Sequence, residues 1–597
     1  MNKITQFLKS FRLRSKSNLE SGYTALKNGE RQFVLGATVI AIVATLSILY
    51  GINSKYLVSV PLDGGSITEG IVGMPTLINP VLAISEGDKS LTNLVYSGLV
   101  RKVKSGVFIP DLAESYTVSS DSTIYTFVIK DKAVFQNGTK VTADDILFTI
   151  NKIKDPLIKS PRKVEWEGVT VTKVDNRTVR FTLKQPYASF IDNLTIGILP
   201  ENVWKNVSEA EFGLSTINTK PVGSGPYIVK KVTKNAEGAP ESYSLVRFTK
   251  FILGTPHIKN ITIKSFANEK DMVNALAQGN IDQAGGIDPQ NAVTLSANKD
   301  IVMEKSALPR MFGLFFNKNQ NAVLGDPNVI KAISMIINRQ EIIDNVLKGY
   351  GSPIYSAIPN GILSDDLISK GDLGVDKDAA LNQFAKSGWK IGTDGTMQKS
   401  ATKTVKDKKG KVTTVSTGPS TKLTFSITTG DTPELKQTAE DIQKTLAEYG
   451  IIVELKVYET GPLNQIIRSR KYEALFFGQV INHESDLFAF WHSTQRTDPG
   501  LNIAMYSNSK ADLLLDSAQK ILNEDDRMSK YSQLKNILDA DMPAIFIYSP
   551  EYIYAHSDNV HIVGSMGITT APDRLNEIYS WYADTDEIWK IFAKQNY

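Results

Sequence analysis

The sequence predicts an α/β fold of two lobes with an added β-rich domain, preceded by one transmembrane helix. Three observations predict it. Two strand–helix–strand units stand about 150 residues apart, which two separate α/β lobes would produce. A stretch of alternating strand patterns, roughly 105–218, precedes them, and an uncharged apolar run follows a basic head. At 597 residues the chain is also too long for one ordinary core.

The apolar run comes first. Residues 1–32 hold seven Lys/Arg against two Glu, and Phe33–Ile52, FVLGATVIAIVATLSILYGI, is twenty residues without a charge. A helix of that length spans roughly 30 Å, the hydrocarbon core of a bilayer. A cleavable signal peptide has a short charged head and an apolar stretch of about 7–15 residues. This head is 32 residues long, and no clear A-x-A site follows. The run is therefore expected to be a single-pass anchor. The excess of Lys and Arg keeps 1–32 in the cytoplasm and exports everything after about Lys55. The chain has no cysteine, so neither a lipid-modified cysteine nor a disulfide can hold the exported part. Beyond Gln32 there remain 60 basic and 61 acidic residues, which gives no case for nucleic-acid binding.

Residues 55–66 are expected as a tether into a first strand. SYTVSSDSTIYTFVIK (115–130) and VTVTKVDNRTVRFTL (169–183) each read as a hairpin, turning at Ser/Asp and at Asp175-Asn176. Further on, NITIKSF (260–266) is a strand, and a helix through Met272, Ala275 and Leu276 follows, closed by Gly279. KLTFSITT (422–429) repeats the plan. Thr432-Pro433-Glu434 opens a helix whose buried face is Leu435, Ala439, Ile442 and Leu446; Gly450 ends it and IIVELKVY returns as a strand. Such short joints imply parallel strands with right-handed crossovers. The Lys/Thr/Ser-rich segment 398–422 reads as a solvated hairpin turning at Lys408–Gly410, or as a patch that touches anionic lipid.

Adjacent acids at Asp144 and Asp145 invite a catalytic reading, but helix entry accounts for them. Thr142-Ala143-Asp144-Asp145 fits a capping box, with Asp145 reaching back to the Thr142 N–H. Ile146, Leu147, Ile150 and Ile153 then recur at one-face spacing, and Asp155-Pro156 stops the helix. Other catalytic constellations fail. G-x-S-x-G, H-E-x-x-H, a Walker loop and G-x-G-x-x-G are all missing from the sequence. His483, Glu484, Asp486 and His492 cluster in NHESDLFAFWH, but a spacing of nine positions between the histidines matches no helical ligand pair. Polar groups lining a cleft are the better use for them. PVGSGPY (221–227) suits close backbone approach and sharp redirection. Tyr548-Ser549-Pro550 is expected to end the strand AIFIY near the last chain reversal.

In this order these segments resemble the extracytoplasmic solute-binding proteins of ATP-binding-cassette importers, of the oligopeptide/dipeptide/nickel type (family 5). The resemblance runs from about Glu69 to Ile562. It is carried by MPTLINP, by IPDLAESYTVSSDSTIYTFVIKDKAVFQNGTKVTADDILFTI, by PVGSGPY, and by FFNKNQNAVLGDPNVIKAISMIINRQEII. It implies a periplasmic-binding-protein-like flytrap: lobe I from 56–104, 219–306 and 549–597, the extra domain from 105–218, and lobe III from 307–548. It implies a monomer that binds a peptide-like or small polar solute and delivers it to a membrane permease, with no cofactor, no metal and no catalysis. Peptide-binding members pair the peptide's α-amine with an Asp in a W-x-x-D-type segment. The similar segment here, FGQVINHESDLFAFW (477–491), has Ile481 where that Asp would stand and Gly478 where the Trp would stand. By position, the resemblance implies ligand contacts at Glu69 and Met74 on the first loop, Gln479, Asn482, His483 and Glu484 in lobe III, and Tyr548 at the crossover. Trp491 reads as a core residue. The alternative ligands are a sugar or a metal chelate, and the alternative role is a sensor or scaffold without transport.

Overall fold

The computed structural model describes residues 27–103, 107–187, 190–358, 375–406, 412–481, 486–521, 523–563 and 568–589. They fall into two compact units, one ending at Leu62 and resuming at Thr585, the other spanning Asp63–Asp584.

In the first unit, Asn28–Tyr56 form one helix. Its stretch Asn28–Asn53 is long and apolar enough to cross a bilayer, and no residue of its apolar window is buried. The expected tether is more ordered than a linker. Leu57–Pro61 is a strand paired antiparallel with Thr585–Trp589. Both strands belong to this unit, so 585–589 does not share the lobe I unit that the resemblance implied for 549–597.

The second unit is built on a 12-stranded sheet. Its lobe I half orders Gln283–Gly285, Gly64–Val72, Ile258–Phe266, Pro240–Arg247 and Tyr227–Lys234 side by side. Ile258–Phe266 and Gln283–Gly285 both run parallel to Gly64–Val72, joined through the helix Glu269–Ala277. Asn268 caps that helix, and Gly279 leaves it at φ 69°, a left-handed conformation that glycine adopts without a Cβ clash. The lobe III half orders Ile452–Tyr458, Thr424–Gly430, Ala474–Val480 and Arg310–Phe316. Thr424–Gly430 and Ile452–Tyr458 are parallel, joined by the helix Pro433–Glu448 with Pro433 in its first turn. On that helix Ala439, Ile442 and Leu446 are buried while Leu435 is half-buried.

One strand, Ala544–Ser557, belongs to both halves. Residues 544–548 pair with Arg310–Phe316, and 551–557 pair with Ile301–Ala307. The expected strand end at Tyr548-Ser549-Pro550 is therefore corrected: the strand runs through. Proline has no N–H to give a ladder, and Pro550 stands where the strand exchanges one antiparallel partner for the other. There its carbonyl accepts from Leu308 N–H at 3.3 Å, and Ser549 Oγ donates to Leu308 O at 2.9 Å.

Both hairpins of the β-rich stretch form. Ala113–Val118, Ile124–Ile129, Thr178–Leu183 and Val169–Lys173 make one antiparallel four-stranded sheet. Its inward residues Phe127, Phe181 and Val179 join lobe I residues such as Ile67 and Ile261 in a single apolar core. Lobe III has a core on each face of its sheet, one under Ile442 and Leu314, the other around Trp491 and Phe546. Strands Met397–Lys406 and Val412–Lys422 pair as the expected basic hairpin, with Trp389–Ile391 as a third strand. Its turn at Lys408–Gly410 lies outside the described residues.

The helix Ala143–Lys154 opens with the expected box: Asp145 Oδ2 accepts from Thr142 N–H at 2.8 Å and from Thr142 Oγ1 at 2.9 Å. The other oxygen accepts from Glu201 N–H at 2.8 Å, a tie to a segment 56 residues away that spacing did not announce. Burial raises the Asp145 pKa above the usual carboxylate value, against the pull of these three donors. Its folded pKa exceeds its unfolded one. Its electrostatic contribution is thus fully present below the unfolded pKa and declines as pH rises through the folded one. Asp144 is half-buried and pairs with Lys173 at 2.7 Å. Asp145→Ala should therefore lower stability by about 1–3 kcal/mol, leaving buried donors unpaired. Asp144→Ala should cost under about 1 kcal/mol. Denaturant unfolding of the two variants checks the contrast, and equal losses would refute it.

Candidate ligand cleft

The carboxyl ends of the parallel strands, and the stretch where 544–557 passes between halves, are where an open α/β sheet offers a crevice. Tyr548 lies on the lobe III side of that passage, 1 % exposed. Its ring stacks on Phe312 with centroids 5.1 Å apart, and its hydroxyl lies 3.3 Å from Thr438 Oγ1. Thr438 stands one turn beyond Glu434, in the first turn of the helix Pro433–Glu448. Burial first, then repulsion from Asp288 and Glu269, raises the Glu434 pKa, while Arg310 opposes the rise. Asp288 and Glu269 belong to lobe I, where Glu269 Oε1 accepts from Asp288 N–H and from Asn291 Nδ2, both at 2.7 Å. The charges of Asp288 and Glu269 are thus felt at Glu434, across the two halves of the sheet. Burial, then the Asp486 carboxylate, likewise raises the Tyr187 hydroxyl pKa.

The residues singled out by sequence scatter across this frame. Gln479 sits on Ala474–Val480 opposite Met311, is 4 % exposed, and its Oε1 has no partner. Alternation along the strand puts Gln479 on the sheet face opposite to Gly478. Gly478 lies opposite Phe312, and Phe312 opposite Tyr548, so Gln479 and Tyr548 face different sides of the sheet. Met74 follows the first strand and is 54 % exposed. Asn482, His483 and Glu484 lie outside the described residues. Trp491 is fully buried in a lobe III core, as expected.

One placement is corrected. Glu69 is on no loop: it lies within the strand Gly64–Val72 and is 0 % exposed. Its Oε1 accepts from Arg574 Nε at 2.9 Å and from Arg574 Nη2, and its Oε2 accepts from Gln283 Nε2 at 3.0 Å. Three of its roughly four acceptor positions are taken, and the residue is fully buried, so it presents no surface to a solute. Ile481, the residue in place of the family's amine-pairing acid, is also 0 % exposed and packs in the Trp491 core. Its apolar side chain is drawn inward by the same alternation that places Leu475 there. Glu434, Arg310, Phe312 and Tyr187 were missed. Glu434 was in view only as the third residue of the helix start, and nothing local marked the others.

Among the described residues no group of three His, Asp or Glu side chains is disposed to hold a metal ion. Two α/β halves sharing one strand, with polar side chains gathered at the passage between them, define a two-lobed binding protein. The sequence model of the bacterial extracellular solute-binding proteins, family 5 Middle, matches residues 107–500, and the chain belongs to that family. It is a solute-binding protein and not an enzyme. The oligopeptide-binding protein AppA of Bacillus subtilis is 26 % identical over 523 residues, covering 85 % of this chain and 90 % of AppA. The structure of AppA with a nonapeptide is similar in fold, with a TM-score of 0.62 and 24 % identity over 88 % of this chain and all of that one. The substrate-binding protein CtaP of Listeria monocytogenes shares the fold at a TM-score of 0.70 and 22 % identity, over 87 % of this chain and 99 % of CtaP.

Proposed function

We propose that the chain is a membrane-anchored receptor that captures a peptide-like or other small polar solute outside the cytoplasm and delivers it to an ATP-binding-cassette importer. The observation that carries this reading is the passage of one strand, Ala544–Ser557, through both sheet halves, beside polar groups of both lobes. The apolar, unburied helix Asn28–Asn53 supports an anchor with a cytoplasmic N-terminus. Met74, Gln479 and Tyr548 remain candidate ligand contacts from the sequence reading, with Asn482, His483 and Glu484 just after Gln479 in the chain, and Gln479 and Tyr548 would meet a solute from different faces of the sheet. Gln479 Oε1, buried and unpartnered, is suited to accept from a solute N–H.

With Ile481 turned inward and Glu69 engaged by Arg574, neither position offers an acid to a free α-amine, so binding through the contacts picked from the sequence depends weakly on that amine, and Glu434 is the acid at the passage that would reverse this. Mass spectrometry of what co-purifies with the detergent-solubilised full chain identifies the solute class. Calorimetric titration with a peptide and its N-acetylated twin then tests the amine. The two affinities are expected within about tenfold, or about 1.4 kcal/mol. A larger preference for the free amine, lost in Glu484→Gln, would show that an acid outside the expected position pairs with it.

A further inference from the structure

Where the strands Gln283–Gly285 and Ala544–Ser557 meet, three polar atoms are buried without a hydrogen-bond partner: Gln283 Oε1, Tyr554 Oη and His556 Nε2. Their residues are 0 %, 0 % and 4 % exposed. They are neighbours by register, with Gln283 opposite His556 and Gly285 opposite Tyr554. Alternation sets Tyr554 and His556 on one sheet face, and their ring centroids are 6.3 Å apart. Gly285 completes the enclosure. A Cβ there would come within 2.2 Å of the Tyr552 hydroxyl and 2.9 Å of the Tyr554 ring, so a side chain at this position would displace one or both rings.

The hydrogen-bonding character of each atom is set by what its own residue does elsewhere. Gln283 Nε2 donates to Glu69, which leaves the amide oxygen as the inward group, an acceptor. His556 Nδ1 is 2.8 Å from Ser557 O, and a carbonyl only accepts, so Nδ1 carries the proton. In the neutral ring Nε2 then presents a lone pair. Burial pushes the Tyr554 hydroxyl well above its usual range, so it stays a donor. Glu304 Oε1, 3.9 Å from His556 Nε2, is itself an acceptor and cannot serve that lone pair. The three atoms therefore offer two acceptors and one donor, and buried polar atoms are paired as a rule, which one partner shared by all three would satisfy.

We propose that this nest is a binding site for one structural water molecule. The water donates to Gln283 Oε1 and to His556 Nε2 and accepts from the Tyr554 hydroxyl. Three bonds are typical of a buried water, and the site is polar on each of these sides. It fixes the lobe I half of the shared strand to Gln283, and through Gln283 to the Glu69–Arg574 pair. No solute of the binding cleft is involved, so the site stands whether or not the capture reading does.

A crystal structure of the detergent-solubilised full chain, at a resolution that shows ordered solvent, tests the proposal. The expected result is one density peak within hydrogen-bonding distance of all three atoms. The same peak is expected in His556→Gln, whose side-chain oxygen restores an acceptor, and its loss in His556→Leu. Wild-type protein with no peak, or with Tyr554 Oη bonded directly to Gln283 or His556, overturns the site. A peak that survives unchanged in His556→Leu overturns the role given to His556. Should His556→Leu fail to fold, the wild type and His556→Gln decide the matter.

Discussion

Glu69→Gln should destabilise the second unit by about 3–5 kcal/mol, the usual result of removing one partner from a buried ion pair. Arg574 is 6 % exposed and Glu69 not at all, so neither charge finds water when the other is lost. Arg574 also donates through Nη1 to Ser90 Oγ at 3.2 Å and to Ala571 O at 2.6 Å, and so fastens the helix Glu86–Val95 and the turn Ala571–Leu575 to the first strand. The glutamine keeps the volume and one acceptor, yet leaves the guanidinium without its counter-charge. The double variant Glu69→Leu/Arg574→Met should recover much of the loss, because an apolar pair of similar volume removes both buried charges. Denaturant unfolding of the wild type, both single variants and the double variant reads the coupling. If Glu69→Gln unfolded with the wild type and instead abolished solute binding, the assignment of Glu69 to the fold would be wrong and its ligand reading right.

How far that pair was from legible shows where sequence reading stops. Glu69 and Arg574 are separated by 505 positions, and no periodicity links them. A carboxylate near the end of a first strand looks the same whether it meets a solute or an arginine. By contrast, the Thr142–Asp145 box joins residues three positions apart, and the hairpins and the helix Pro433–Glu448 rest on signals between near neighbours in the chain. The fold class was therefore readable, since it depends on short-range patterns repeated along the chain. Strand ends were read less well. Pro550 argued for a stop, but a proline is tolerated where a strand changes partner, and only tertiary pairing reveals that change. In the cleft, Ile481 marked a departure from the family's amine-pairing pattern. That it points into a core instead of toward a solute depends on the register of Ala474–Val480 against Arg310–Phe316.

The second large effect is expected at PVGSGPY, where Gly223→Ala should cost about 3 kcal/mol or more, at or beyond the upper end of overpacking changes. A Cβ on Gly223 would stand 2.1 Å from the Val95 carbonyl oxygen, and one on Gly225 2.6 Å from the Val95 carbonyl carbon. The obstacle is backbone in both cases, so no rotamer change relieves it. The approach is held by hydrogen bonds: Gly225 N–H donates to Val95 O at 2.8 Å, and Gln136 N–H to Gly223 O at 2.8 Å. The Gln136 side chain closes the joint. Its Nε2 donates to Tyr227 O at 2.8 Å and to Val95 O at 3.2 Å, while its Oε1 accepts from Gly223 N–H at 3.1 Å. Gln136 lies in the β-rich domain and Val95 in lobe I, so the glycines let three chain segments meet without side chains between them. Gln136→Leu should cost about 1–3 kcal/mol through the buried groups it strands. Gly213→Ala, where nothing lies within 4 Å of the new Cβ, should stay within about 0.5 kcal/mol of wild type. Thermal and denaturant unfolding of the three variants gives the ranking, and a Gly223→Ala protein as stable as Gly213→Ala would mean that the segment is an ordinary loop and the joint is made elsewhere.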